Sequence, residues 1–544
     1  MSILNRFRNN RGMAAIIAMM VMIMLTLIGI AAIKLSSDEI NIAGNELNEM
    51  KAFYGAEAGL ERASAAIQHQ YDSTGYPPTV MPSGSETVND IIVAYNSVDD
   101  GAAVQRPLTT GTLAGLNASV KTYTITATGM SQVDNSQVVL TQNFECASVP
   151  LFQFAVFYGN DLEIAPGPDM TLLGRVHSNG NLWLQAGSNL YMDSYVTCSG
   201  NLLHGRKGPG SVSNGNVYIK DTDGSYQNMK NADGTFLTSA TSNWYDSATV
   251  RWGGRVQDSS FGQGELNLPL AGSGDSHDLI ERGSGNPDSY EHKADLKIMD
   301  GRVYSEIGGV WTDVTSYLPS GTITTGSFTD GREGTVVNST DVDVALLASS
   351  GYMPTSGVIY ASDQSGGTYN ALRLTNGSDV GSPLSVYSEN PMYVQGDFNT
   401  VDKQPVALAA DAVTFLSNSW DDSKSTWSVS SRVASNTTCN ASIMTGNTNT
   451  TSSNYNGGLE NLPRFLESWS GKDFVYTGSL VNLWNSVQAT SPWSYGSYYT
   501  APNRVWSYDT DLDDPSKLPP ETPQIRIFQR TGWKQHDVSY LQGS

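Results

Sequence analysis

Six histidines and three cysteines in 544 residues leave little material for chemistry. His69, His177, His204, His277, His292 and His536 are scattered, and none stands at metal-ligand spacing from a cysteine or another histidine. There is no G-x-S-x-G elbow, no Walker A lysine loop and no H-E-x-x-H, and "SGKD" at Ser470 lacks the hydroxyl residue that would hold magnesium. His177, in "GRVHSNGN" near Arg175, reads as a surface or capping histidine at a strand end rather than a base. No catalytic residue is assigned. Cys146, Cys198 and Cys439 allow one disulfide and one spare thiol in an oxidising compartment, or three buried unpaired thiols. Charge is scarce too, at 15% of residues, and one-sided: Lys and Arg number 31 against 53 Asp and Glu, for a net −22. So acidic a surface argues against nucleic acid or anionic lipid as a partner.

What the sequence does have is one long apolar run. Residues 13–33 are 21 positions without a charge. As a helix they span roughly 32 Å, about the hydrocarbon thickness of a bilayer. Arg6, Arg8 and Arg11 precede the run and no acidic residue does, which places that end in the cytoplasm and the rest outside. No A-x-A site closes the run, so a cleaved signal peptide fits poorly. Beyond it, residues 36–71 contain no proline. Ile40, Leu47, Met50, Tyr54, Leu60, Ala63 and Ile67 form an apolar stripe, with Asp38, Glu39, Glu46, Glu49, Glu57 and Glu61 among them. Gly44, Gly55 and Gly59 weaken the pattern, by about 1 kcal/mol each. One helix is predicted from Met13 to about Gln70, apolar all round in its first half and one-faced in its second.

The stretches "INIAGNE" and "KAFYGAEAGLE", behind a short basic leader ending in Gly12, resemble the N-terminal region of PilX-like minor pilins of the type IV pilus family. The resemblance covers residues 10–62. It implies a leader of residues 1–12, cut between Gly12 and Met13 by a prepilin peptidase, and methylation of the new amine. Loss of the leader's three arginines takes the net charge from −22 to −25. The resemblance also implies that residues 13–33 anchor the subunit in the inner membrane and later pack in a filament core, with other pilins as partners. Where major pilins carry a glutamate, at the fifth mature position, this sequence has Ile17. A tip or initiating subunit, with no earlier amine to neutralise, can do without that carboxylate, so Ile17 points to such a position.

Residues 72–89 read as a loop. "KTYTITATGM" and "SQVVLTQNFECA" then read as a hairpin, with Tyr123, Ile125 and Ala127 facing inward. The expected fold is α+β: a pilin helix and small antiparallel sheet over 13–150, then a large mainly-β domain over 151–457, and an aromatic-rich segment, 458–544, packed on it. In the large domain the phrase "GN" recurs at Gly159, Gly180, Gly200 and Gly215, at intervals of 21, 20 and 15, each time before a short apolar alternation. This suggests stacked β-coils, a solenoid-like arrangement, against the alternative of a β-sandwich. Val406, Leu408 and Ala410 are expected inside. Residues 205–274 and 417–458, rich in Gly, Ser, Thr and Asn, read as long insertions. Residues 459–469 read as a short amphipathic helix and "KDFVYTGSLVNLW" as a strand pair. The aromatic stretch 484–508 is a binding surface for sugar or protein if exposed, and a packed loop if buried.

Asp509, Asp511 and Asp513 alternate as the first oxygen ligands of a calcium loop do, and calcium is the one cofactor that the spacing admits. Pro515 and Lys517 occupy later ligand positions, which disfavours an EF-hand; "DTDG" at Asp221 is a second fragment. Two functions follow. One is a minor pilin-like subunit with a large exported domain for adhesion or assembly, able to meet a surface ligand. The other is a membrane-tethered β-helical enzyme acting on polysaccharide, for which Asp421 and Asp422 are the nearest carboxylate pair. Only the pilin reading accounts for Gly12 and the helix.

Overall fold

The computed structural model describes residues 10–536 except 75, 110, 209, 269, 271–273, 368 and 453. One helix, α1 (Asn10–Thr74), opens the chain. It is followed by β1 (Ser83–Val88), β2 (Ile91–Asp99), β3 (Val104–Pro107), β4 (Asn117–Ser131) and β5 (Gln137–Pro150). These strands form an antiparallel sheet in the order β1-β2-β4-β5, with β3 on β4. The loop expected over 72–89 thus contains a strand. Asn89 and Asp90, at φ 46° and 64°, make the tight turn that pairs β1 with β2.

The sheet has two buried faces. Tyr123, Ile125 and Ala127 lie inward as expected, and with Val138, Leu140, Phe144 and Cys146 they cover the helix. Ala118, Val120, Ala147 and Val149, on the opposite face, pack with the large β region. The helix approaches the sheet closely: a Cβ on Gly129 would fall within 2 Å of the Ala52 carbonyl oxygen, so only glycine fits.

The large region contains several parallel sheets. β6 (Phe154–Tyr158), β7 (Leu162–Ile164) and β8 (Met170–Leu172) are followed by β9 (Arg175–Ser178), β10 (Leu182–Leu184) and β11 (Asn189–Met192), then β12 (Val196–Cys198), β13 (Leu202–His204) and β14 (Asn216–Lys220). β6, β9 and β12 run side by side, as do β7, β10 and β13, and β8, β11 and β14. Val156, Val176 and Val196 are register partners, and so are Leu162, Leu182 and Leu202. The "GN" phrase marks this register. The Asn181 N–H donates to Asp161 Oδ1 at 2.7 Å, and the Asn201 N–H to Asn181 Oδ1 at 2.8 Å. A Cβ on Gly180 would sit 2.3 Å from Asp161 Oδ1. The fourth copy differs, because Gly215 precedes β14, which pairs with β11.

Further parallel strands, Val358–Ser362, Leu384–Ser388, Val406–Ala410, Ser442–Thr445 and Leu480–Asn482, continue the sheet of β6. Leu480–Asn482 pairs directly with β6, so the last turn of this series rests on the first turn of the other. Val406, Leu408 and Ala410 face the interior as expected, and Ala407 and Ala409 point the other way, into the cluster that also holds Met444, Val481 and Leu512.

Three local expectations change. Residues 459–469 hold one 3-10 turn, Leu459–Asn461, and no longer helix: Pro463 cannot donate to one, and Arg464–Phe465 pairs with Thr414 and Phe415 instead. The two strands of "KDFVYTGSLVNLW" belong to different sheets. The two polar stretches carry structure: Trp244–Trp252 is a helix with Trp252 fully buried, and Thr437–Asn440 and Ser442–Thr445 are strands. The end of the chain also departs from a segment packed wholly on the large region. Gln524–His536 returns to the head and pairs antiparallel with β5, from Gln524↔Pro150 to His536↔Val139. Residues 151–523 are therefore inserted between two neighbouring strands of one sheet.

Candidate functional site

Two halves of α1 differ completely in environment. Ala52, Ala56, Leu60, Ala63, Ile67 and Tyr71, spaced three or four apart, are buried against the sheet. Leu60, Ala63 and Ile67 were on the predicted stripe. Ile40, Leu47, Met50 and Tyr54 were too, but they are exposed. The stripe turns at Ala52 because two alanines, not large side chains, fit where the backbones are closest. A Cβ on Gly55 would meet Ile91 Cγ2 at 2.7 Å, so this glycine serves the same approach. Asn48 Nδ2, donating to Asp134 Oδ2 at 3.1 Å, marks where the helix leaves the head. From there to Met13 the helix projects for roughly 50 Å.

The projecting half is apolar by length and composition enough to cross a membrane, and none of its most hydrophobic window is buried. Met13 and Ile17 lie on it at 63% and 56% exposure. Gly12 is helical, and a Cβ there would meet nothing. Arg6 and Arg8 lie outside the described residues.

The C-terminal strand grips the docked half of the helix at three levels. Arg526 Nη1 donates to the Tyr71 and Asp72 carbonyls at the helix end. Arg530 makes a fork of two bonds to Glu61, at 2.5 and 2.6 Å. Trp533 meets Phe53 edge-on at 6.3 Å, while Phe528 stacks on Phe144 at 5.4 Å. Nothing in the local pattern announces this, since a 13-residue strand rich in Gln, Arg and Lys carries only a short apolar alternation.

The remaining candidates sit elsewhere. Lys403 Nζ donates to both oxygens of Asp509 at 2.8 Å and reaches Asp511 at 3.0 Å; Lys517 holds the other Asp511 oxygen at 2.7 Å. Asp513 accepts from the Tyr508 hydroxyl at 2.8 Å. Lysines therefore stand where a calcium ion would, and among the described residues no group of three or more His, Cys, Asp or Glu has metal-holding geometry. Asp221 accepts from its own loop and from Gln227. Asp422 pairs not with Asp421 but with Arg373, at 2.7 Å, which also binds Asp341. His177 is buried rather than at the surface: it bonds Thr197 Oγ1 at 2.8 Å and Asn179 Oδ1 at 2.9 Å, and burial pushes its pKa down to about 4. Cys146, Cys198 and Cys439 are all free and buried. In the aromatic stretch Trp484, Tyr498 and Tyr499 are buried, Trp493, Trp506 and Tyr508 are half-buried and Tyr495 is exposed, and Asn503–Tyr508 is a strand paired with Asp473–Gly478.

Residues 11–61 match the family model described as PilX N-terminal. No curated protein matches the chain. Among solved structures, the chain is similar to the crystal structure of the competence-associated pilin ComZ from Thermus thermophilus. The identity is 13%, over 90% of this chain and 98% of that one, with a TM-score of 0.30.

Proposed function

With a PilX N-terminal pilin segment at its start, we propose that this type IV pilin-like chain is a minor pilin subunit, anchored in the inner membrane before assembly and then carried to a pilus or the cell surface. Its leader is cut between Gly12 and Met13 by a prepilin peptidase, and the Met13 amine is methylated. Its partners are other pilins and minor pilins. Its large domain, β-solenoid-like in our reading because equivalent residues stack at 20-residue intervals, serves adhesion or assembly. The position is the tip or the start of a filament, since Ile17 lacks a carboxylate to meet the amine of an earlier subunit, and an unpaired charge in apolar surroundings is costly.

The observation that carries the reading is the projecting half of α1: residues 13–33, about six helical turns, are apolar on every side and exposed along the described helix. Water is a poor solvent for such a surface; a bilayer and a bundle of like helices are good ones. Gly12 supports the cleavage. The PilX resemblance makes it the last residue of the leader, and no described atom would meet a Cβ there, so nothing in the described fold calls for glycine at this position. Mass spectrometry of the membrane-extracted protein tests the proposal. The expected N-terminal peptide begins at an N-methylated Met13. A retained Met1, or cleavage near Ala32, would contradict it.

A further inference from the structure

Residues 275–294 join the large region to the head. The Tyr76 hydroxyl donates to Asp288 at 3.1 Å, and Lys293 lies 3.4 Å from Glu521, in the connector that leads to the C-terminal strand. The segment also meets three neighbouring strands of the sheet of β6. The Tyr360 hydroxyl donates to the Ile280 carbonyl at 2.9 Å, Tyr290 stacks on Tyr387, and His277 stands beside Asp411, just past Val406–Ala410. We propose that His277 is a pH-operated pin in this joint: as an imidazolium it fastens the start of the segment, residues 275–282, to the sheet, and as a neutral ring it lets that start go.

His277 is 4% exposed and lies between two carboxylates. Its Nδ1 is 2.8 Å from Glu281 Oε1, and its Nε2 is 3.5 Å from Asp411 Oδ1. The second contact is an ion pair rather than a formed hydrogen bond, and Nε2 has no hydrogen-bond partner among the described residues. A neutral imidazole carries one N–H and one lone pair, and an ionised carboxylate offers lone pairs alone. With the proton on Nδ1, the Nε2 lone pair faces Asp411 in a buried site. With the proton on Nε2, the Nδ1 lone pair faces Glu281 at hydrogen-bond distance. The imidazolium presents a proton to both.

The other neighbours supply no substitute for that second proton. Asp411 is fully buried, and its oxygens accept from the Val487 and Ala489 N–H groups at 2.6 and 2.8 Å, so it is a fixed acceptor. Trp484 meets the ring edge-on at 6.0 Å and carries no charge. Asp275 accepts from the His277 main-chain N–H. Glu389 accepts from Ser362, Gln364 and the Arg282 N–H, and the Arg282 side chain pairs with Asp300. Burial works against the charged ring, but Asp411 and Glu281 together outweigh it and hold the histidine pKa above its ordinary 6.5. A pKa raised on folding gives stability that is complete below the unfolded value and is lost as pH climbs through the folded one. The pin is therefore set in acid and released in alkali.

This device stands whether or not the subunit reaches a filament. Amide hydrogen exchange of the full chain in detergent, read by mass spectrometry, tests it. Protection is corrected for the intrinsic rate at each pH and compared between residues 276–282 and β6, which reports changes in global stability. From about pH 5.5 to about pH 8.5, protection of 276–282 is expected to fall about fivefold or more relative to β6. In His277→Gln, which takes up no proton, it should be low and equal at both ends of that range. Glu281→Gln, at a half-exposed side chain, should move the midpoint of the fall to lower pH, which a mere loss of packing would not do. Wild-type protection that holds across the range, a fall that persists in His277→Gln, or a midpoint unmoved in Glu281→Gln would overturn the proposal.

Discussion

Glu460 is a buried carboxyl whose Oε1 accepts from the Ala165 N–H at 2.8 Å. Burial is the main reason that its pKa rises from 4.5 to about 7; Arg504 offsets part of this, and Glu163 adds to the rise. Between these values the folded chain holds a proton that the unfolded chain has lost, so this group makes stability fall as pH rises from about 4.5 to about 7. His177 and His204, each pushed down to about 4 by burial, act in the opposite sense, losing stability as pH falls below about 6.5. The difference between wild type and Glu460→Gln isolates the carboxyl. The variant is expected to gain on wild type as pH rises, reaching about 3 kcal/mol above pH 7. Equal gains at pH 4.5 and pH 8, measured by denaturant titration, would refute this.

Ile17 belongs to the same scale. Its side chain meets nothing in its own chain that would distinguish isoleucine from glutamate, so Ile17→Glu should leave the folding of the head unchanged. Its expected effect lies in assembly. If the bulk of the large domain keeps the subunit off the shaft, pilus number and subunit position stay as in wild type. A large rise of label along the shaft would make the missing carboxylate the excluding feature.

At the scale of elements, a strong period was legible and a weak one was not. Residues 13–33 and the stripe through Leu60, Ala63 and Ile67 announced a helix and one of its faces. Ala52 and Ala56 did not, because a small residue at a close approach has no hydropathy signal to separate it from a small residue in solvent. The parallel register was legible where Gly and Asn recur: a Cβ on Gly180 would meet Asp161, and Asn181 accepts from the Asn201 N–H as Asp161 accepts from the Asn181 N–H. The residues 459–469 misled because apolar spacing outweighed Pro463. The calcium pattern misled because Lys403, more than a hundred positions away in sequence, is brought onto Asp509 only by the fold.

The C-terminal strand yields a prediction at this scale. The exposed Arg530–Glu61 pair contributes under about 1 kcal/mol. Loss of the buried Phe144 ring, which is stacked on Phe528, costs about 3 kcal/mol or more. Phe144→Ala should therefore speed hydrogen exchange in residues 52–71 by two orders of magnitude or more, and Arg530→Ala by less than tenfold. Ending the chain before Gln524 should exceed both, because it also bares the β5 edge. Unchanged exchange in the truncated protein would show that the helix needs no such grip.

At the scale of the molecule, the inserted region enters at Leu151 and leaves beside it, with the Leu151 N–H bonded to the Pro523 carbonyl at 2.8 Å. This is possible because Leu480–Asn482, late in the inserted region, pairs with β6 at its start. A pull on the large region therefore reaches the head through two neighbouring strands at once. No short-range pattern could foretell this, as Gln524 and Pro150 meet across the whole length of the insertion.

The central claim is that this subunit leaves the membrane and occupies one end of a filament. Immunogold labelling of sheared pili, with antibody raised to the large domain, tests it most directly. The account predicts label at a single end of each labelled filament. Label distributed along the shaft, or confined to the cell envelope with none on pili, would contradict it.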